Sequence, residues 1–473
     1  MTAPESGPPA VLKPEEVAAL ASGFRGSLLA PGSGTYEQAR RVWNGVIDKY
    51  PALILQPRDT ADVTRAVRFA RDHHLPLSVR GGGHNVAGGA LCEGGVVVDL
   101  CLMRGVTVDP RARTARVGGG ATWAEVDAAT QAHGLAAPGG VVSDTGVAGL
   151  TLGGGLGWLR RRFGLSCDHI RAFEVVTAGG EVVRADASEH PDLYWALRGG
   201  GGAFGVVTAF EFDLQPVGPE VMFAMVFYPA SSGLDVLRAY REFAASAPDE
   251  VSSFAICGTL PEAEVFPPEA HGQPFVLLAA MSAGDPEGGE AALRPLREIT
   301  RPIADFSARQ PFVEVQRAFD EDYPAGRRYY WKSAYLRGLP DEALRCALDF
   351  AAASLSPLST VDLWHLGGAI DRIAPDATAY PHRGAPYLLG VEANWEEGDA
   401  ASREANVTWA RRCVEAFSPF SPGGTYLNFP GFEEDADGPD AAHGDHLARL
   451  EAVRRRYDPG GLFHLRAGHA AGG

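Results

Sequence analysis

The chain has 473 residues, 45% of them hydrophobic, with 59 acids against 42 bases and a net charge of −17. That length implies two or three domains rather than one core. The acidic balance argues against nucleic acid or an anionic membrane surface as a partner, and it leaves small neutral substrates open.

The N-terminal stretch MTAPESGPPAVLKPEE has neither the basic start nor the apolar centre of a secretory signal. No apolar run reaches the roughly 18 residues that a membrane span needs. Six cysteines are scattered without a CxxC pair. The expectation is a cytoplasmic protein with reduced thiols, monomeric or a small homo-oligomer.

After a loose tail, residues 52–80 read as strand, helix, strand. ALILQP is a short apolar run. Asp59 and Thr60 are N-cap candidates for a helix whose apolar face carries Val63, Ala66, Val67 and Ala70, and LPLSV returns as a strand. That strand leads into RGGGHNVAGG, where His84 stands among glycines. GVVVDL is the next strand. TARVGGGATWAEVDAATQAHG then gives strand, turn and helix, with Thr122 and Glu125 spaced as a capping box. A second glycine-dense stretch covers residues 137–170 and a third residues 195–214.

From about residue 218 glycine thins out. Apolar strands such as VMFAMVFY and PFVLLAAM alternate with helix-like runs such as LDVLRAYREFAASA. This texture predicts a second, inserted domain that runs to about residue 420. A basic amphipathic helix, HLARLEAVRRRY, follows and stops at Asp458-Pro459-Gly460.

Three readings of the glycine loops compete. Gly200, Gly202 and Gly205 fit GxGxxG, but VVTAFEFDL follows them as an alternating strand where a dinucleotide motif requires a helix. Plain tight turns would account for any one loop. Three loops, one of them holding His84, suggest instead one extended ligand lying against bare backbone, with amide groups converging on phosphate oxygens. A neutral imidazole could then be a nucleophile toward the 8α-methyl of a flavin ring. The plain alternative for His84 is a turn histidine bonded to a nearby carbonyl.

The stretches RGGGHNVAGG, GVAGLTLGGGLGWLRRRFGLSCDHI, DLYWALRGGGGAFGVVTAFEFDL, YLNF and YDPGGLF, in that order, resemble the berberine bridge enzyme-like oxidases of the PCMH-type, or vanillyl-alcohol oxidase, flavoprotein superfamily. The resemblance spans about residues 45–465. It implies an α+β fold in which a PCMH-type FAD-binding domain is formed from both chain ends, with an inserted α+β substrate domain, an antiparallel sheet covered by helices. The expected division is residues 1–217, 218–420 and a returning segment 421–473. The resemblance also implies FAD bound covalently through His84. Arg80, Gly81, Gly82, Gly83, Asn85 and Gly88 would follow the pyrophosphate and flavin edge. Gly139, Gly140, Val141, Asp144, Thr145, Gly146, Gly149 and Gly157 would line the ring and phosphates. Val206 and Val207 would offer backbone to the adenine side, and Tyr426 and Asn428 would close the ring.

Three positions depart from the family pattern. A second link from a cysteine is not expected, because Val142 holds that position. YLNF ends in Phe429, which cannot accept a proton as the tyrosine of some relatives does. The chain ends FHLRAGHAAGG rather than in an Asn-rich run.

A base must therefore come from elsewhere, since hydride leaves more easily when a neighbouring group takes the hydroxyl proton. Glu392 is the first candidate, on a strand where Leu388, Gly390, Glu392 and Asn394 share a face, with Tyr426 as helper. Tyr330, Lys332 and His365 are further candidates, although cross-strand pairing or a core position also explains them. Trp331, Trp364 and Trp395 fit a core, or a platform for a sugar or polycycle. His443 and His446 lie a helical turn apart without a third ligand, so surface histidines are expected and no metal.

The sequence thus predicts an FAD-dependent oxidoreductase acting on a CH–OH or related C–H group of a small polar substrate such as a sugar or polyol. Oxygen or another acceptor would reoxidise the flavin. A tailoring oxidase of a polyketide or alkaloid is the alternative. A flavin-binding protein that has lost catalysis is the non-enzymatic one, prompted by Phe429 and Val142.

Overall fold

The computed structural model describes residues 12–396, 398–432 and 438–463, and every count below refers to these. The tail after Phe463, whose departure from the family pattern was noted above, lies outside them.

Three sheets carry the fold. In the first, β1 (Ser27–Leu29) pairs antiparallel with β2 (Leu53–Gln56), and β3 (Leu77–Arg80) and β4 (Val96–Asp99) run parallel to β2 in the order β1-β2-β4-β3. Helix α1 (Thr60–Asp72) is capped by Asp59, whose carboxylate accepts the Asp62 N–H. It buries the expected face of Val63, Ala66, Val67 and Ala70. The run Val96, Val97 and Val98 is buried on both faces, as parallel strands under helices are.

The second sheet is antiparallel, built from β5 (Val106–Asp109), β6 (Thr114–Gly118), β7 (Ile170–Val176), β8 (Val182–Asp186) and β9 (Val206–Asp213) in the order β5-β6-β9-β7-β8. Helix α2 (Trp123–Gln131) follows β6 and starts with the capping box foreseen at Thr122 and Glu125. The stretch after the third glycine loop is strand β9, which removes the helix that a dinucleotide motif would need.

The third sheet has eight strands. At its centre lie β10 (Glu220–Pro229), β11 (Val251–Thr259), β12 (Pro274–Ser282), β13 (Arg328–Leu336), β14 (Thr360–His365) and β15 (Tyr387–Trp395), in the order β10-β12-β11-β14-β15-β13, all antiparallel. One face packs on helices α3 (Gly233–Ser246), α4 (Asp341–Ala352) and α5 (Ala400–Ala416) through residues such as Tyr240, Leu344 and Val407. The other face turns toward the glycine loops.

The last described segment returns to the start of the chain. Helix α6 (Leu447–Tyr457) buries Leu450, Val453 and Tyr457 in the core of the second sheet. Phe463 then forms a parallel bridge to Leu77 of β3.

Candidate functional site

A cavity of about 800 Å³ lies between the glycine loops and the free face of the large sheet. That is the size of a typical cofactor or substrate site. Its two walls differ in chemistry.

The loop wall is backbone. Gly81, Gly82, Gly83, His84 and Asn85 from the first loop meet Gly140, Val141, Thr145, Gly146 and Gly149 from the second, with Gly201, Gly202, Gly205 and Val207 from the third. The glycines serve two purposes. A Cβ on Gly82 would stand 2.4 Å from Gly146 Cα, and one on Gly146 would stand 2.3 Å from Gly82 N. The first two loops therefore touch through bare backbone. At Gly149, by contrast, a Cβ would meet nothing within 4 Å. Protein packing does not require that glycine, whereas a flat ligand lying on the loop would. The cradle thus fits the long, phosphate-bearing FAD that the sequence implied.

Several other expected contacts lie behind this wall. Gly139 packs on the Trp123 ring and Gly157 on the Gly139 carbonyl. Arg80 is spent on Asp99 of the neighbouring strand. Gly88 packs on Ile47, and Val206 lies in the core under the first sheet. None of these five lines the cavity.

His84 does line it. Its ring stacks on Trp43 at 4.9 Å and 18°, and Trp43 stacks in turn on Tyr329 at 3.7 Å and 9°. His84 Nε2 stands 3.1 Å from Asp144 Oδ1 in the second loop. Val142 lines the cavity where a cysteine would be needed for a second link. Cys167 is fully buried and away from it, and Cys92 at the margin turns its thiol onto the Pro76 and Val96 carbonyls.

The sheet wall is built from side chains. Strands present alternate residues to one face, so β13 offers Trp331, β14 Trp364 and β15 Glu392. Tyr323, Tyr426 and Phe429 complete it. Glu392 is 2% exposed and accepts a hydrogen bond from the Tyr323 hydroxyl at 2.8 Å. The Trp43 indole N–H reaches the Tyr323 carbonyl at 2.8 Å, so the histidine and the acid are joined through two aromatic residues.

A second acid sits beside Glu392. In the β14–β15 register Asp362 faces Gly390 and Thr360 faces Glu392, which makes the two acids diagonal neighbours on one face. Asp362 is 1% exposed, and its Oδ1 has no hydrogen-bond partner. Burial, followed by the negative charge of Asp362, pushes the Glu392 carboxyl well above its usual range. Burial raises Asp362 to about 7. No described cation pairs with either acid. Two such groups cannot both ionise cheaply in this setting. Sequence reading missed Asp362, Tyr323 and Trp43. Only the alternation of β14 could have drawn attention to Asp362.

The remaining expected catalytic side chains are elsewhere. Tyr330 and Lys332 fall on the opposite face of β13 from Trp331. Tyr330 is buried among the helix-covered core, where its hydroxyl meets Arg411 Nε at 3.1 Å. His365 stands 2.9 Å from the Arg161 guanidinium. Burial and the charges of Arg161 and Arg160 lower its imidazole to about 2. Tyr426 reaches the cavity, but its hydroxyl accepts the Gly155 and Leu156 N–H groups, both at 3.2 Å, and the Asn428 amide at 2.9 Å. It fastens the second loop to the sheet. Trp395 lies in the helix-covered core, unlike Trp331 and Trp364. His443, expected on the surface, is buried at 1% exposure, and no cluster of metal-binding side chains occurs among the described residues. No described helix is long and apolar enough to cross a membrane.

Residues 51–186 match the FAD binding domain family. Over 93% of its length the chain is 29% identical to (R)-6-hydroxynicotine oxidase of Paenarthrobacter nicotinovorans, covering 95% of that protein. It is 28% identical to an FAD-linked oxidoreductase of Bacillus subtilis, with 93% and 96% of the two chains covered. The crystal structure of 6-hydroxy-D-nicotine oxidase from Arthrobacter nicotinovorans superposes with a TM-score of 0.82 at 27% identity, covering 94% and 97%. The BBE-like 1 protein of Physcomitrella patens shares the fold at a TM-score of 0.85 and 23% identity, covering 95% and 97%. Cavity, fold and relatives define a flavoprotein oxidoreductase. Residues 51–186 carry an FAD binding domain, and nearly the whole chain is similar to FAD-linked oxidoreductases, with the fold of the berberine bridge enzyme-like structure.

Proposed function

We propose that this FAD-linked oxidoreductase removes a hydride from a CH–OH group of a small polar substrate such as a sugar or polyol, with the flavin attached through His84 alone and Glu392 accepting the proton. The observation that carries this reading is the placement of His84 and Glu392 on facing walls of one cavity. The flavin supplies the two-electron chemistry, and the protein supplies orientation and electrostatics. The glycine loops would hold the cofactor by backbone. Trp331 and Trp364 would hold the substrate against it, and the sheet beneath Glu392 would keep water from its carboxyl. Dioxygen or another acceptor would complete the turnover, in a cytoplasmic setting. The residue divisions 1–217, 218–420 and 421–473 are proposed as cofactor domain, substrate domain and return segment.

A second reading, a tailoring oxidase of an alkaloid or polyketide, draws support from the aromatic sheet wall of Trp331, Trp364, Tyr323 and Phe429. Relatives and neighbours include both a hydroxynicotine oxidase and a chitooligosaccharide oxidase. Anaerobic mixing of the holoprotein with free sugars, polyols, cyclic amines and aromatic polycycles tests both readings by bleaching of the yellow flavin. Bleaching by the sugars and polyols selects the first substrate class, and bleaching by the polycycles or cyclic amines selects the second. No bleaching by any member counts against both.

A further inference from the structure

We propose that Asp144 is a positioning residue for covalent flavin attachment: it engages Nε2 of His84 and leaves Nδ1 to form the bond. The proposal rests on the reading of His84 as the attachment point.

The geometry fixes both partners. His84 Nε2 lies 3.1 Å from Asp144 Oδ1. The imidazole cannot turn freely, because it stacks on Trp43, which is held by the Tyr329 ring and the Tyr323 carbonyl. The backbone of Asp144 is pinned on both sides. Ser143 gives its N–H and its hydroxyl to the Asp320 carboxylate at 2.7 and 2.6 Å, and the Thr145 carbonyl accepts the Trp123 N–H at 3.0 Å. A carboxylate beside one ring nitrogen selects the tautomer with its proton there, so the lone pair sits on the other nitrogen.

Asp144 would also act during bond formation. As Nδ1 bonds to the C8 methyl carbon, that carbon loses a hydrogen as a proton and the imidazole becomes a cation. The carboxylate beside Nε2 stabilises that charge and takes up the ring proton. The electron pair from the broken C–H bond stays in the flavin ring, which takes one proton from the methyl carbon and the second from the Asp144 carboxyl, so the ring is left reduced with two protons and Asp144 is a carboxylate again. Dioxygen then accepts two electrons and two protons to give hydrogen peroxide, and the linked ring is oxidised again.

The test uses protein produced free of flavin in a riboflavin-starved host, mixed with FAD in air, with acid-stable yellow colour followed in time. Asp144→Ala and Asp144→Asn are expected to bind FAD natively yet attach it on the order of 10–100-fold more slowly, the scale on which outer partners act on histidine ligands. Asp144→Glu is expected to recover much of the rate. The linked peptide from wild-type protein, mapped by NMR, is expected to carry the flavin on Nδ1. Attachment at the wild-type rate in both Asp144→Ala and Asp144→Asn overturns the proposal, and so does a wild-type bond at Nε2. The wild-type linkage needs no variant, so it decides even where a substitution lowers the folding yield. His84→Ala separates the two readings: acid-stable flavin in that variant overturns attachment at His84 itself.

Discussion

The two walls of the cavity solve opposite problems. The loop wall has almost no side chains and comes from three short stretches dense in glycine. The sheet wall is almost all side chains, taken one at a time from strands far apart in sequence. A cofactor that is the same in every turnover can be held by backbone, which offers many donors and no bulk. A reacting group needs directed side chains on a rigid support, because small misplacements of a catalytic group cost rate steeply. Under the proposed function the cofactor and the chemistry would therefore lie on surfaces of different construction.

Substitutions on each wall should fail differently. The largest effect belongs to Glu392→Gln, which should lower the rate of flavin reduction by about 10²–10⁴-fold, the usual range for a lost general base, while leaving bound FAD unchanged. Stopped-flow reduction with any substrate that bleaches the wild type measures it. A variant that keeps its rate would move the base off the sheet wall. Next comes Gly146→Ala, whose new Cβ has no room beside Gly82. Overpacking of this kind costs about 1–3 kcal/mol, and here it should also expel flavin, visible as a colourless protein with a lowered Tm. If it retains full flavin, the loops do not hold the cofactor by close backbone contact.

Asp362→Asn tests the acid pair through pH. Both carboxyls are raised in the folded state, so the folded protein holds protons that the unfolded chain has released. Stability should therefore fall as pH rises above the ordinary carboxyl range, through about 7 for Asp362, with the raised Glu392 carboxyl adding to the loss. Flavin reduction should rise over the same window as Glu392 ionises. Removing the neighbouring charge should shift that rise to lower pH and flatten the alkaline loss of Tm. Unchanged profiles would mean that the acids act independently. The smallest effect is expected for Ser143→Ala, which removes one hydroxyl donor to Asp320. A charge-assisted bond of this kind contributes about 1.5–3 kcal/mol when buried and less at this half-buried site, so a modest drop in Tm with unchanged flavin content is expected.

The same contrast governs what could be read from the sequence. The loop wall is local: RGGGHNVAGG carries its cradle and its histidine within ten letters, and the strand after the third loop was visible as VVTAFEFDL. Helix α1 and its Asp59 cap were equally local. The sheet wall depends on which strands become neighbours. Glu392 was found through its own alternation, but Asp362 becomes its partner only in the β14–β15 register. Tyr330 and Trp331 are adjacent letters on opposite faces, and sequence alone did not say which face meets the cavity. Trp43 lies in a stretch with no motif, and its importance comes from stacking on both His84 and Tyr329.

That stretch has a mechanical consequence. Trp43 donates its N–H to Gly83 and accepts one from Gly326, and Gly45 donates to Arg327. The Asn44 side chain bonds both the Val86 carbonyl and the Tyr329 backbone. Three consecutive residues thus rivet the first glycine loop to the root of β13. The two walls cannot part at this corner without shearing the whole set of bonds together, so any gaping of the cavity must pivot about it, like a clamshell about its hinge pin, with the mouth at the far side.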